Sequence, residues 1–239
     1  RRPPRSTLFS YTTLFRSIAG LGVAVTREVL QCPELTESDL ALMQADWEKV
    51  DLLSGLEVGF LGARAMADSL FSEIVERGAL QAKHTSLPVA DPSFRERLEE
   101  TFAAFLWQFG DEEDMVLAFR HFQQSLENIR GLQRQKPWPE VDAELQGLLS
   151  EIQAASTGLR KYRHPVSSLL LPNYSRAIRS VVRQDTQRRL TITVIALKRY
   201  QLQHRQFPAE LNELVPAFLT VVPMDPMSGR PLQIGRAHV

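Results

Sequence analysis

Residues 173–204 read NYSRAIRSVVRQDTQRRLTITVIALKRYQLQH, and the fold class depends most on how this stretch is interpreted. Its inner part, 190–196 (LTITVIA), is rich in β-branched residues and could form a strand. Arginine- and glutamine-rich sequence continues on both sides of it without a turn signal, which favours a helix. We therefore predict one long helix over 173–204. A short apolar segment, 166–171, precedes it between Pro165 and Pro172.

Apolar residues nearer the N-terminus also recur with the spacing of a helix. Residues 36–39 (TESD) offer several N-cap choices with acidic residues in the first turn, and from there to residue 80 apolar side chains recur three or four residues apart. Gly55, Gly59 and Gly62 interrupt this pattern. We therefore predict two helices or one kinked helix here, with a close helix–helix approach near the glycines.

The remaining predicted elements complete a helical protein. Residues 18–30 are predicted to be the end of a helix, and further helices are predicted over 91–108, 115–129, 141–159 and 209–214. Gly131 is expected to end the helix before it, and 79–92 is a predicted linker. Residues 221–232 contain four prolines or glycines and should be extended with tight turns. The predicted fold is all-α, an irregular bundle of about six helices with a short extended C-terminal appendage.

The two ends of the chain resemble a translated sequencing adapter. Residues 1–17 (RRPPRSTLFSYTTLFRS) differ from the translated adapter only at Ser10, where the adapter has proline. Residues 234–239 (IGRAHV) match the translated adapter of the opposite end. The resemblance implies that both segments are not native and that the genuine protein is a metagenomic fragment within 18–233, cut at both ends. We expect 1–17 to have no specific packing partner and 234–239 to interrupt the C-terminal unit.

Removing these ends changes the charge. The whole chain has 28 basic and 28 acidic residues, but without the five arginines of the ends 23 basic and 28 acidic residues remain, a net of −5. Residues 160–205 contain eleven basic residues and one acidic residue, whereas 18–159 contain 11 basic and 24 acidic residues. We therefore divide the protein into an acidic helical region, 18–165, and a region of 166–233 that holds the basic long helix and the C-terminal segment.

Three interpretations of the basic helix remain open. It could pack beside the acidic helices so that the charges complement one another, or its charges could form a solvated face. Alternatively, its arginines could form a stripe for an acidic partner such as nucleic acid or anionic lipid. The net negative charge and the lack of a recognisable binding motif make nucleic acid an unlikely partner. The stripe would consist of Arg176, Arg179, Arg183, Arg188 and Arg189.

No catalytic motif is recognisable in the sequence. The histidines of 18–233 are His84, His121, His164 and His204. None has another histidine three or four residues away, and HExxH, GxSxG, phosphate-loop and dinucleotide motifs do not occur. The acidic run 111–114 (DEED) lacks the ligand spacing of a calcium loop and suits a helix N-terminus better. With Cys32 as its only cysteine, the sequence also excludes a disulfide framework. We predict no catalytic residue, metal or cofactor.

An ordered pattern runs through the C-terminal segment. It comprises ALKRY (196–200), HRQFP (204–208), LNELVP (211–216), VPMDP (222–226) and GRPL (229–232). The pattern resembles the region after the long helix in type II secretion major pseudopilins, which has a helix ending in RY, a GxxP turn, a short helix and P-x-DP-x-x-G-x-P. One departure is Arg205, which stands where the turn pattern has glycine.

A closer resemblance is to a family of uncharacterised bacterial proteins that are usually membrane-anchored at the N-terminus. Residues 35–44 and 62–65 (GARA) match its other motifs. The resemblance implies an exported domain in the cell envelope, a missing N-terminal membrane anchor, a protein partner and a non-enzymatic structural or interaction role. Two alternatives remain, namely an enzyme whose site lies partly in missing ends and a binder of acidic polymers through the basic helix 176–205.

Overall fold

The computed structural model describes residues 20–77, 111–158, 160, 163–226 and 228–235, and within them the protein is all-α. Residues 20–29 are helical, and Leu211–Leu214 form a short 3-10 helix. The predicted fold class is therefore confirmed. The main helices are α1 (Glu37–Glu48), α2 (Leu52–Arg77), α3 (Asp111–Gln133), α4 (Trp138–Ala155) and α5 (Pro165–His204).

Helix α1 begins where the sequence predicts. The Thr36 hydroxyl accepts a hydrogen bond from the backbone N–H of Asp39 at 3.3 Å. In return, the Asp39 carboxylate accepts one from the backbone N–H of Thr36 at 3.1 Å. This reciprocal capping box satisfies two donors at the start of the helix. The Thr36 hydroxyl also donates to the Asp39 carboxylate. This bond, followed by the one from the Thr36 backbone N–H, holds the pKa of the Asp39 carboxyl below its ordinary value.

The glycines of α2 do not mark the break between the two predicted helices. The break between α1 and α2 lies at residues 49–51, where the Asp51 carboxylate accepts from the backbone N–H of Ser54 at 3.0 Å. Gly55, Gly59 and Gly62 lie inside α2. Of the described residues, none lies within 4 Å of a Cβ atom built on any of these three glycines. The predicted close helix–helix approach stays a prediction, because the predicted helix 91–108 lies outside the described residues.

Helix α3 continues past the residue predicted to end it. Gly131 is helical, and α3 runs on to Gln133. The chain then turns at Gln135, which has a φ of 66°. The N–H of Lys136 bonds to the Gly131 carbonyl at 2.9 Å and that of Gln135 bonds to the Leu132 carbonyl at 3.0 Å, as in a Schellman motif. The prediction that Gly131 ends the helix was wrong, because the residue with left-handed backbone at this helix end is Gln135 and not a glycine.

Helix α4 is shifted toward the N-terminus relative to the prediction of 141–159. It begins at Trp138 and ends at Ala155. The Ser156 N–H bonds to the Ile152 carbonyl at 2.8 Å. Gly158, with a φ of 59°, then redirects the chain.

Helix α5 is longer than predicted. It is continuous over 40 residues, so residues 166–171 and Pro172 belong to it. Pro172 has no N–H and cannot donate to the Ser168 carbonyl, which costs a helix interior about 3 kcal/mol. Leu171 is fully buried and Tyr174 is 6% exposed. Burying two such side chains contributes roughly 1.5–3 kcal/mol each, enough to offset the proline.

The threonine-rich part of α5 is helical, as predicted. The hydroxyl of Thr191 donates to the Gln187 carbonyl at 2.9 Å, and that of Thr193 donates to the Arg189 carbonyl at 2.8 Å. These bonds satisfy two buried hydroxyl groups within the helix itself. A β-branched stretch is thereby accommodated without a sheet.

The chain forms two compact units that are not consecutive in sequence. Of the described residues, unit 1 contains 20–55, 131–141 and those from 177 onward, and unit 2 contains the rest. The aromatic residues of unit 2 include Phe60, Phe122 and Tyr174. The Tyr174 ring centroid lies 5.2 Å from that of Phe60 and 5.0 Å from that of Phe122.

The described residues of 221–232 alternate extended backbone with turns, as predicted. Met224 and Pro231 form an isolated antiparallel bridge. Among the described helices, none is long and apolar enough to cross a membrane. The predicted linker 79–92 and helix 91–108 lie outside the described residues, as do segment 1–17 and residues 236–239.

The two left-handed helix ends can be tested by substitution. Arg205 has a φ of 60° and follows α5, where its N–H bonds to the Gln201 carbonyl at 2.9 Å. A left-handed residue with a Cβ costs about 1–2 kcal/mol, and the greater entropy of unfolded glycine removes roughly half of that. We expect Arg205→Gly and Gln135→Gly each to raise the free energy of unfolding by about 0.5–1 kcal/mol in urea titrations.

Gly229→Ala is the control for this prediction. Gly229 has a φ of 66°, and a Cβ there would lie 2.9 Å from the Cγ atom of Pro137. Alanine should therefore destabilise the protein. Destabilisation by both of the glycine substitutions would contradict our description of the two helix ends.

Candidate functional site

The five arginines of the predicted stripe differ in exposure and in the direction of their side chains. Arg176 and Arg183 are exposed, whereas Arg179, Arg188 and Arg189 are half-buried. Since consecutive residues of an α-helix are about 100° apart, Arg183 and Arg188 point in directions that differ by about 140°. The five side chains therefore do not share one face of α5.

Arg188 and Arg189 are held by a buried carboxylate in unit 1. Asp185 is 5% exposed. It accepts from the Nε of Arg188 at 2.9 Å and from the Nε of Arg189 at 2.7 Å. Charge-assisted bonds of this kind stabilise a buried carboxylate that would otherwise be costly to desolvate. We call these three residues the arginine–aspartate cluster.

The cluster also reaches the end of α1. Nη1 of Arg188 donates to the backbone carbonyl of Trp47 at 3.2 Å. The Trp47 indole N–H in turn donates to the Thr26 hydroxyl at 3.1 Å. The guanidinium thus satisfies a carbonyl at the C-terminal end of a helix, where positive charge is favourable. This arrangement assigns Arg188 a structural contact in unit 1.

Two other basic residues contact the acidic part of the chain. Within unit 1, Arg199 bonds to Glu37 at 2.7 Å and to the Gln44 side chain at 3.0 Å. Within unit 2, Arg163 bonds to Glu113 at 2.9 Å. For these residues the structure agrees with the interpretation that the basic and acidic parts complement one another.

The residues of the C-terminal sequence pattern form the second part of the site. The end of α5 and the residues that follow it share one buried apolar core. This core consists of seven residues, namely Ile192, Ala196, Tyr200, Leu211, Leu214, Phe218 and Leu219. The side-chain amide of Gln44, which is also buried, donates a hydrogen bond to the backbone carbonyl of Phe218 in this core at 2.7 Å. The predicted short helix 209–214 is a 3-10 helix that begins two residues later.

The carboxylate of Glu213 accepts three hydrogen bonds from α5 and the turn that follows it. It accepts from the Tyr200 hydroxyl at 2.9 Å and from the N–H groups of Ala209 and Glu210 at 2.7 and 3.0 Å. The hydrogen bond from Tyr200, followed by the backbone bonds, lowers the pKa of the Glu213 carboxyl. The same bond is the largest cause of the raised pKa of the Tyr200 phenol. The His204 ring lies 4.1 Å from the Tyr200 ring between centroids.

The last turn carries the remaining residues of the pattern. The Ser228 hydroxyl bonds to the Asp225 carboxylate at 2.8 Å, and the Gly229 N–H bonds to the Asp225 carbonyl at 2.8 Å. The backbone of Pro226 accepts from the Trp138 N–H at 2.8 Å. A cavity of about 30 Å³ lies beside this turn and is lined in part by Asp185 and Arg189. That volume suits an ordered water better than a larger ligand.

Unit 2 contains a buried polar stripe that sequence reasoning missed. His121, Ser125 and Asn128 lie on one side of α3 and are at most 2% exposed. Within the described part of the chain, both His121 nitrogens, Ser125 Oγ and Asn128 Nδ2 have no hydrogen-bond partner. Burial, and then the positive charge of Arg120, lower the pKa of His121 to about 4. Since apolar residues occur between these positions, periodicity alone does not reveal the stripe.

A charged groove of about 630 Å³ lies elsewhere in unit 2, between α3, the end of α4 and the segment before α5. Its walls carry two ion pairs, Arg120 with Glu151 and Arg163 with Glu113. Arg160 and His164 also line it. Because cations and anions are interspersed, the groove does not favour a ligand of one charge.

The acidic run 111–114 occupies the first turn of α3, as the helix N-terminus interpretation predicts. Its last residue, Asp114, is fully buried. Asp114 accepts from the Ser167 N–H at 3.0 Å, and its carbonyl accepts from the Ser167 hydroxyl at 3.0 Å. In the described ranges, no group of three or more potential ligand residues could hold a metal ion.

Asp185→Asn tests how much the arginine–aspartate cluster contributes to the stability of the protein. The amide removes the negative charge and leaves two largely buried guanidinium groups without a counter-charge. We expect the free energy of unfolding to fall by about 3 kcal/mol in urea titrations. The exposed pair Lys49–Asp46, with side chains 75% exposed, provides the control. Asp46→Asn should change stability by less than about 0.5 kcal/mol, and equal effects at both sites would contradict the assignment.

His121 should make stability depend on pH. Since its folded pKa lies below the unfolded value near 6.5, the unfolded state binds the proton more readily. The stability contribution is complete above pH 6.5 and is lost as pH falls to about 4. The loss should amount to about 3 kcal/mol, and His121→Phe should lack it. Urea titrations at pH 7 and pH 4 measure the difference, and equal pH dependence of both proteins would refute it.

Comparisons with known proteins identify no relative for this arrangement. No protein-family profile matches the chain. No curated protein and no solved structure matches it either.

Proposed function

We propose that the protein is a non-enzymatic, envelope-associated component with a structural or interaction role. The proposal follows the resemblance of the C-terminal pattern to major pseudopilins and to the membrane-anchored bacterial family. In this proposal a membrane anchor belongs to the N-terminal side of the natural protein. The exported domain contacts a protein partner in the envelope.

The observation that supports it best is how the residues of the pattern are used. Tyr200 and Glu213 bond to each other, Arg199 bonds to α1, and Asp225 and Ser228 bond within the last turn. These polar side chains are therefore engaged in building the C-terminal part of unit 1. Such use is expected of a scaffold that presents a surface, since residues that act on a substrate must direct polar atoms toward it.

The exposed apolar residues of the same part offer a surface for a partner. Phe207 is 58% exposed and Val221 is 67% exposed. Phe207 lies in the turn that Arg205 begins, directly before the buried Pro208. A rigid turn that exposes an aromatic ring has a low entropic cost of ordering on binding.

The alternative of an acidic-polymer binder depends on the exposed arginines of 176–205, which are Arg176, Arg183 and Arg205. Arg188, Arg189 and Arg199 are engaged in ion pairs. A smaller number of available cations predicts weak binding with a shallow salt dependence. The alternative of an enzyme has no geometry in the described residues that favours it.

Fractionation of cells that express the gene with its natural flanking sequence tests the proposal. We expect the protein in the membrane fraction, with a C-terminal tag accessible to protease in spheroplasts. A photo-reactive amino acid at Phe207 should crosslink to an envelope protein, whereas one at the exposed position Leu42 should not. Recovery in the cytosol, or DNA binding that appears at low salt and disappears at high salt, would overturn the proposal.

A further inference from the structure

The segment that exposes Phe207 has few hydrogen bonds of its own. We call residues 205–210 the Phe207 turn. The Arg205 N–H bonds to the Gln201 carbonyl at 2.9 Å, where α5 ends. Among the hydrogen bonds of the described residues, none involves the backbone N–H of Gln206 or Phe207, and Pro208 has no N–H to donate. The conformation at Phe207 therefore depends on what holds the other end of the turn.

That other end is held by one carboxylate. Oε1 of Glu213 accepts from the N–H of Ala209 at 2.7 Å and from the N–H of Glu210 at 3.0 Å. Hydrogen bonds to an ionised acceptor are roughly twice as strong as those between neutral groups. Without this acceptor both N–H groups would bond to water, and the turn would lose its second point of attachment.

Glu213 itself has a fixed position. It lies in the 3-10 helix between Leu211, which is 5% exposed, and Leu214, which is fully buried. Its second oxygen, Oε2, accepts from the Tyr200 hydroxyl at 2.9 Å. The Tyr200 ring is buried and lies 5.7 Å from the Phe218 ring between centroids. The carboxylate therefore joins the Phe207 turn to the buried core of the C-terminal part.

We propose that Glu213 is the positioning residue of the partner contact at Phe207, because its carboxylate holds the Phe207 turn in the conformation that the partner binds. The positioning role rests on the proposed function, whereas the hold on the turn rests on the hydrogen bonds alone. A turn that is already ordered loses less conformational entropy on binding than a mobile one. Removal of the carboxylate should therefore weaken the contact although Phe207 itself is unchanged.

The first test measures the hold on the turn. Amide hydrogen exchange of the full chain, followed by NMR at Ala209 and Glu210, should be at least about tenfold faster in Glu213→Ala than in the wild type. The amides of Ile195 and Ala196, which lie in the fully buried part of α5, should keep their protection and report that the variant is folded. Unchanged exchange at Ala209 and Glu210 would overturn the proposal.

Two variants that keep the backbone bonds are the controls. In Glu213→Gln the side-chain amide oxygen still accepts from Ala209 and Glu210, so this conservative change should restore most of the protection. In Tyr200→Phe only the bond to Oε2 is lost, and exchange in the turn should stay close to that of the wild type. If either control exchanged as fast as Glu213→Ala, general destabilisation would explain the effect and the proposal would fail.

The second test measures the contact in cells that express the gene with its natural flanking sequence. With a photo-reactive amino acid at Phe207, the crosslink yield per molecule of protein should fall at least about fivefold in Glu213→Ala. Glu213→Gln should restore the yield. A purely structural role of Glu213 would leave the crosslink yield of the folded variant unchanged.

The failure of the positioning role differs from the failure of the proposed function. A wild-type chain that forms no crosslink at Phe207 overturns the proposed function, and the positioning role with it. Equal crosslink yields for the wild type and Glu213→Ala, with faster exchange at Ala209 and Glu210 in the variant, overturn the positioning role alone.

Discussion

The apolar side of α5 is the feature on which both cores depend. Leu171 and Tyr174 contribute to the core of unit 2, and Ile195 and Ala196 contribute to that of unit 1. Pro172 removes one hydrogen bond from the helix, yet the helix is not interrupted. The burial of apolar side chains on both sides of Pro172 stabilises the helix by more free energy than the loss of one backbone hydrogen bond costs. Tertiary packing, not local propensity, therefore sets the length of this helix.

The same reasoning explains which elements the sequence could predict. Helices with a regular apolar repeat and a side-chain cap, such as α1, were predicted correctly because both signals are local. Element ends were less predictable. Glycine and proline predict helix ends, but Gly131 and Pro172 lie inside helices. The left-handed positions after α3 and α5 are held by Gln135 and Arg205. The strain at such residues is offset by the contacts of the whole unit, which no short window contains.

The candidate site was predicted less well than the fold. Charge counting located the basic helix, and Arg199 does contact Glu37. Counting could not distinguish an arginine that faces solvent from one that bonds to a buried carboxylate. Asp185 is the one acidic residue of the basic stretch, and its burial redirects Arg188 and Arg189 away from the predicted stripe. Likewise, the stripe that contains His121 is invisible without knowledge of what covers α3.

Asp114 carries a consequence for the way the chain reaches this structure. The start of α5 is capped by a carboxylate that lies 53 residues earlier in the sequence. A helix that is capped by its own neighbours can begin to form as soon as those neighbours are synthesised. The start of α5 instead acquires its cap only when a long loop has closed, and closing such a loop has an entropic cost that local contacts avoid. Folding of unit 2 should therefore be rate-limited by the meeting of distant segments and not by the coiling of any one helix.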